Sequence, residues 1–290
     1  MSERTTRLWE SSSSWSGYYF DVTECLERGR SRYQEYEVWH SPLFGRMFRL
    51  DGCAMTSEAD EFIYHENLIH VPGLAHAGPR SALVIGGGDG GSAEELFKYR
   101  TMQQVVLVEL DEKVIELARK YFPAVHRGAL DDTRLELRVQ DGMDYVRRVA
   151  PAEGRKFDLV VLDLTDPVGP AAALYQEEFF RACKALLTEG GALSLHVGAP
   201  DHQPERVREL LRRLRAVFAC VRPHLHYIPL YGANWMLACA SDALDPVSLD
   251  PATVDARIAE RGLGELRYLD GETYRARLVL PRYLREIVQP

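Results

Sequence analysis

The chain of 290 residues has no stretch near the ~18 uninterrupted apolar residues that a membrane span requires, so no membrane partner is expected. Its opening, MSERTTRLWESSSSWSGYYF, lacks a basic segment followed by an apolar one, so secretion is not expected and a cytoplasmic location is. Cysteines are few and scattered: Cys25, Cys53, Cys183, Cys220 and Cys239 are odd in number and form no C-x-x-C pair. That disfavours a disulfide framework and a zinc cluster, and it fits a reducing compartment. Positive charge is also short, with 35 Lys and Arg against 43 Asp and Glu, a net of −8. Proteins that grip nucleic acid by its phosphates usually show the opposite balance, so no nucleic-acid partner is expected. An acidic chain without an acidic tail points instead to cationic small molecules. Repeats and long low-complexity tracts are missing too, and the run Ser11–Ser14 marks only a loose terminus. The 46% of hydrophobic residues supports an ordinary packed core.

Two regimes follow one another. From Tyr18 to Met55 the text reads as short strands, YYFDVTEC, QEYEVWH and GRMFRLD, with turns at SPLFG and LDG. This is a small antiparallel β domain, residues 1–72, with a breakpoint at Val71-Pro72-Gly73. After it, apolar runs at 81–88, 104–111, 134–142, 157–167 and 191–197 alternate with amphipathic stretches at 92–99, 111–121, 175–187 and 204–218. Strand–helix alternation of this kind predicts an α/β fold with a Rossmann-like, methyltransferase-type doubly wound sheet over residues 73–290. HLHYIPL and NWMLACAS flank Tyr231-Gly232-Ala233 as a closing hairpin, and segment 245–290 packs against the sheet. Ligands of doubly wound sheets sit beyond the carboxyl ends of the strands. Acids collect at those ends here: Asp89, Glu109, Asp141, Asp163 and Asp166.

Gly86, Gly88 and Gly91 satisfy G-x-G-x-x-G between a strand and a helix, and Glu109 ends the next strand, where an acid can accept both ribose hydroxyls. Asp89 stands inside the loop, where a dinucleotide's pyrophosphate would lie. Like charges there repel by several kcal/mol, which favours a nucleoside carrying a positive group, such as a sulfonium. Asp141-Gly142 can accept from an adenine amino group, or can simply turn the chain at a strand end. Asp163 and Asp166 lie three residues apart on a loop stiffened by Pro167 and can face the same cavity, although Asp166 can also cap the following helix. Three acids around one cavity call for a cationic guest.

GGGDGG, VELD, VQDG and DLTDPVGP, with RYQE, LDG and DEFIYHE upstream, together resemble the spermidine synthase family of polyamine aminopropyltransferases, from about Trp15 to Ser241. The resemblance implies transfer of an aminopropyl group from decarboxylated S-adenosylmethionine to an amine, with release of methylthioadenosine. That donor is a co-substrate, so no cofactor and no metal is implied. Carried over by position, Gln34, Gly86, Glu109, Asp141, Gly142 and Pro170 bind the donor nucleoside. Trp15, Tyr64, His65, Asp89, Asp163, Asp166 and Tyr231 bind the polyamine, and Asp163 also takes the proton. Aromatic rings suit an alkyl ammonium chain through cation–π attraction. A homodimer or homotetramer is a further implication. Met55, Leu164, SLHVGAPDHQ and IPLYGANW depart from the pattern of putrescine-using members and resemble the branch taking longer or guanidino-bearing amines. Putrescine is the first expected acceptor, with agmatine, spermidine or another amine open.

The attack requires a neutral amine in line with the methylene bonded to sulfur. Moving a proton from an alkyl ammonium near ~10.4 to an aspartate near ~3.9 costs about 9 kcal/mol in water. Desolvating both groups narrows that gap, and Asp166 is expected to hold the far ammonium rather than the reacting one. His65 and His70 are five apart and point to different helix faces, and His224 and His226 share a strand face without a third ligand, so a metal site is not expected. The run ERVRELLRRLR reads as the solvated face of an amphipathic helix. Two rival functions are an NAD-dependent oxidoreductase, disfavoured by Asp89, and a non-catalytic polyamine binder, disfavoured by Asp163.

Overall fold

The computed structural model describes residues 5–288 except 168 and 265, and only the backbone at 169 and 170. Strands β1 (Thr6–Ser11) and β2 (Gly17–Val22) pair as a hairpin. Strands β3 (Glu24–Arg30), β4 (Glu35–Ser41), β5 (Gly45–Leu50) and β6 (Cys53–Ser57) form a separate four-stranded antiparallel sheet in that order. The segment expected as one strand, YYFDVTEC, is therefore split at Thr23, whose N–H and hydroxyl both turn to His40.

Helix α1 (Glu61–Ala75) then crosses into the larger part of the chain. Val71-Pro72-Gly73, where the breakpoint was expected, lies inside this helix, with all three residues buried. Proline lacks the N–H that would bond to the carbonyl four residues back. Here the Leu68 carbonyl receives the Ser194 hydroxyl instead, at 2.6 Å. Gly73 is needed for packing: a Cβ there would lie 2.3 Å from the Tyr99 hydroxyl.

The main sheet comprises β7 (Ser81–Gly86), β8 (Gln104–Glu109), β9 (Leu135–Val139), β10 (Phe157–Asp163), β11 (Leu187–Gly198), β12 (Cys220–Ile228) and β13 (Ala233–Ser241), in the order β12-β13-β11-β10-β7-β8-β9. β7 to β11 run parallel, and β13 is antiparallel to β11 and β12. Period-two alternation sends Ala82 and Val84 to one face and Leu83 and Ile85 to the other, each into its own core cluster. Burial on both faces explains why these strands read as unbroken apolar runs.

Helices α2 (Gly91–Phe97), α3 (Glu112–Tyr121), α4 (Glu177–Ala185) and α5 (Pro204–Arg215) occupy the expected positions between strands. The tail forms α6 (Pro251–Arg261), α7 (Gly271–Arg277) and α8 (Arg282–Val288). It is tied to α1 by Glu66, which is fully buried and accepts the N–H groups of Arg267, Tyr268 and Leu269. The chain reverses direction across the sheet between β7 and β10, which are neighbours, with Gly86 opposite Asp163 in register. Such a switch point opens a crevice at the carboxyl ends of the strands.

Candidate active site

The glycine loop after β7 is shaped by what presses against it. Gly86 has φ +80°, and a Cβ there would sit 2.1 Å from the Asp163 carbonyl. The Gly87 N–H donates to that same carbonyl at 2.8 Å. A Cβ at Gly91 would lie 2.2 Å from the His65 ring, and one at Gly88 would lie 2.8 Å from the Glu109 carboxylate. The loop is glycine-rich because acids and an imidazole sit directly on its backbone.

His65, Asp89 and Asp163 converge there, with one ligand atom of each within 4.8 Å of the others. His65 comes from α1, where Glu61 one turn earlier accepts its Nδ1–H at 2.7 Å. Its Nε2 faces Asp89 at 3.6 Å and Asp163 at 3.9 Å. Burial alone pushes the imidazole's pKa down. The attraction of Asp89, Glu61 and Asp163 outweighs burial and lifts the pKa to about 10. A raised pKa favours the imidazolium, whose Nε2–H faces Asp89 and Asp163 and suits the ring to orient the acids. Asp163 accepts the Ser92 hydroxyl at 2.6 Å. Burial raises its pKa first, His65 opposes that, and Asp89 adds to it; the net shift is upward. Glu61, Asp89 and Asp163 set three carboxyl groups against one imidazole, an excess of acid over base at this point.

Aromatic rings run away from this cluster. Tyr64 meets the His65 ring edge-on at 5.3 Å and Tyr231 at 6.3 Å, and Tyr231 meets Trp235 at 4.9 Å. Trp235 stacks on His196 at 5.8 Å, and His196 Nε2 lies 2.6 Å from the Tyr175 hydroxyl. The Tyr231 hydroxyl donates to the Met55 carbonyl, tying the far wall to β6.

On the other side Glu109 ends β8. Its carboxylate accepts the N–H groups of Gly88 and Asp111, yet burial dominates and pushes its pKa up to about 7. Gln34 donates to Asp111 Oδ2 at 3.0 Å, and Asp111 also caps α3. The structure thus joins Gln34 to Glu109 through a residue that sequence reasoning passed over. Asp141 accepts the Met143 N–H as a helix cap, and Gly142 lies where a Cβ would meet Ile85 at 2.5 Å.

Some expected residues stand apart. Trp15 is 97% exposed at the tip of the β1–β2 hairpin, rather than part of an aromatic wall. Asp166 is held by Arg206, at 2.9 and 3.0 Å. The side chain of Pro170 lies outside the described residues. His224 and His226 pair with each other at 2.6 Å and are fully buried, and among the described residues they join no cluster of three ligating side chains. Sequence reasoning also missed Glu61, Ser92, Trp235 and Arg206. The i, i+4 spacing of Glu61 and His65 is the signal that could have found the first.

Fold and site together define a Rossmann-like α/β class with acids and aromatic rings gathered at the carboxyl ends of the strands. Residues 61–249 match the spermine/spermidine synthase domain, and residues 9–58 match the spermidine synthase tetramerisation domain. A polyamine aminopropyltransferase of Nitrosomonas europaea is 48% identical over 94% of this chain and 82% of its own length. Polyamine aminopropyltransferase 2 of Hyperthermus butylicus is 39% identical over 92% and 87%. The crystal structure of spermidine synthase from Thermotoga maritima superposes with a TM-score of 0.89 at 32% identity, over 99% of this chain and 97% of that one. A spermidine synthase structure in complex with the transition-state analogue AdoDATO gives 0.90, with the same identity and coverage. The chain belongs to the spermine/spermidine synthase family.

Proposed function

We propose that this enzyme transfers the aminopropyl group of decarboxylated S-adenosylmethionine to putrescine, giving spermidine and methylthioadenosine, without a cofactor. The observation that carries this reading is the meeting of His65, Asp89 and Asp163 against the glycine loop. A pyrophosphate has no place among those acids, whereas a sulfonium and an ammonium do. Glu109 takes the ribose hydroxyls, with Gln34 behind it through Asp111. Gly86 lets the loop lie against the Asp163 carbonyl and so presents its backbone to the nucleoside, and Asp141 with Gly142 meets the adenine. Tyr64 and Tyr231 flank the alkyl chain, and Asp89 holds the aminopropyl end.

The amine nitrogen attacks the methylene carbon bonded to sulfur. The new C–N bond forms as the C–S bond breaks, and its electron pair stays on sulfur, giving the neutral thioether. The nitrogen's proton passes to Asp163, whose burial has already raised its proton affinity toward that of the amine. His65 holds Asp89 and Asp163 in place. Exposed Trp9, Trp15 and Tyr19 on the hairpin that precedes the four-stranded sheet support a homo-oligomer, with the matched tetramerisation domain as its contact. Five unpaired cysteines support a reducing, cytoplasmic setting. The test is to incubate the protein with decarboxylated S-adenosylmethionine and putrescine, agmatine or spermidine and identify products by mass spectrometry. Spermidine as the dominant product is expected; a different product at higher kcat/KM would replace putrescine as the acceptor.

A further inference from the structure

We propose that Arg206 sets the enzyme's acceptor preference by occupying Asp166, so that the far ammonium of a diamine binds there only by displacing the guanidinium. The inference rests on aminopropyl transfer as the reaction and extends it to how the acceptor's far end is read.

Arg206 meets both oxygens of Asp166, at 2.9 and 3.0 Å, and Gln203 Oε1 accepts from the same guanidinium at 2.6 Å. Nη1–H donates to Oδ2 and Nη2 adds a charge contact at Oδ1, and together they offset the carboxylate's charge. An ammonium approaching from the aromatic channel then meets a neutral pair rather than a bare acid. The guanidinium is nevertheless displaceable. Its Nε and Nη2 are buried and find no hydrogen-bond partner among the described residues, so the guanidinium is incompletely satisfied where it stands. It also stands in the first turn of α5, at the positive end of the helix dipole, where a cation is disfavoured.

The loop carrying Asp166 does not need Arg206 to keep its shape. The Tyr175 hydroxyl donates to the Thr165 carbonyl at 2.9 Å, and His196 Nε2 donates to the Leu164 carbonyl at 3.0 Å. His196 adds no rival cation, because burial pushes its pKa down. Removing the guanidinium therefore leaves Asp166 in position with its charge uncovered.

The experiment compares wild type, Arg206→Met, Arg206→Lys and Asp166→Asn/Arg206→Met, with putrescine and with n-butylamine, which has the same carbon chain and no far ammonium. The Arg206→Met enzyme should lower the putrescine KM about tenfold and leave the n-butylamine and donor KM values unchanged. Arg206→Lys should restore the wild-type value. The same Met substitution in the Asp166→Asn background should gain nothing. A putrescine KM that rises, or a change equal for both amines, would show that Arg206 only holds the loop and would overturn the inference. Calorimetric titration of putrescine into the methylthioadenosine complex reads the same ratio without turnover. Tighter binding by the Met variant, with no turnover in wild type, would sink putrescine as acceptor and leave this inference standing.

Discussion

Replacing Ser92 by Ala tests the assignment of the base without touching it. The Ser92 hydroxyl donates to Asp163 Oδ2 at 2.6 Å, and the Asp163 side chain is 11% exposed. A hydrogen bond to a charged group is worth about 1.5–3 kcal/mol. One pKa unit corresponds to ~1.4 kcal/mol. The bond favours the ionised form, so its loss raises the Asp163 pKa further. An acid whose pKa rises is protonated at higher pH, so the acidic limb of the kcat/KM profile moves to higher pH. One unit below the wild-type midpoint, the rate falls by about a further tenfold. The assay is methylthioadenosine release at saturating donor from pH 5 to 9. Donor KM should stay unchanged, because Ser92 faces the base and not the ribose acid. An acidic limb that stays in place, with the rate lost evenly across the range, would put the base elsewhere than Asp163.

Other outcomes follow from the same geometry. Gly91→Ala should lower kcat at least ~100-fold, measured as initial rates. Its Cβ would fall 2.2 Å from a His65 ring that Glu61 holds from behind, so the ring must leave the acids. Glu109→Gln should raise the thermal midpoint of the ligand-free enzyme at pH 8 and not at pH 5, by scanning calorimetry. A carboxyl raised to about 7 in the fold favours the folded state's proton, so ionising it as pH climbs from ~4.5 through 7 costs stability that the amide does not lose. The same variant should lose methylthioadenosine affinity by at least ~10-fold.

How far the sequence could be read depended on how local each signal was. The main strands were legible because burial on both faces demands unbroken apolar runs, as in Ala82–Ile85 and Leu159–Leu162. The Gly86–Gly91 loop was legible because only glycine fits against Asp163, Glu109 and His65. Helix α1 was not, since Tyr64 to Leu74 are buried on nearly every side and no polar stripe marks the helical period. Its Pro72 and Gly73 looked like a linker because the Ser194 hydroxyl that satisfies the freed carbonyl lies far along the chain. The pairing of Asp166 with Arg206 was hidden for the same reason: forty residues separate them, and the arginine looked like part of a solvated helix face. The exposure of Trp15 follows from the hairpin it caps, a contact set by neighbouring strands rather than by its own motif.

Asp163→Asn gives the most direct measurement of the central claim. Its product formation from decarboxylated S-adenosylmethionine and putrescine is followed at pH 8, with methylthioadenosine binding measured by calorimetry on the same preparation. Turnover should fall by at least ~1,000-fold while nucleoside affinity stays within about threefold, because the amide keeps the shape and loses the proton acceptor. Turnover close to that of the unaltered enzyme would contradict the account.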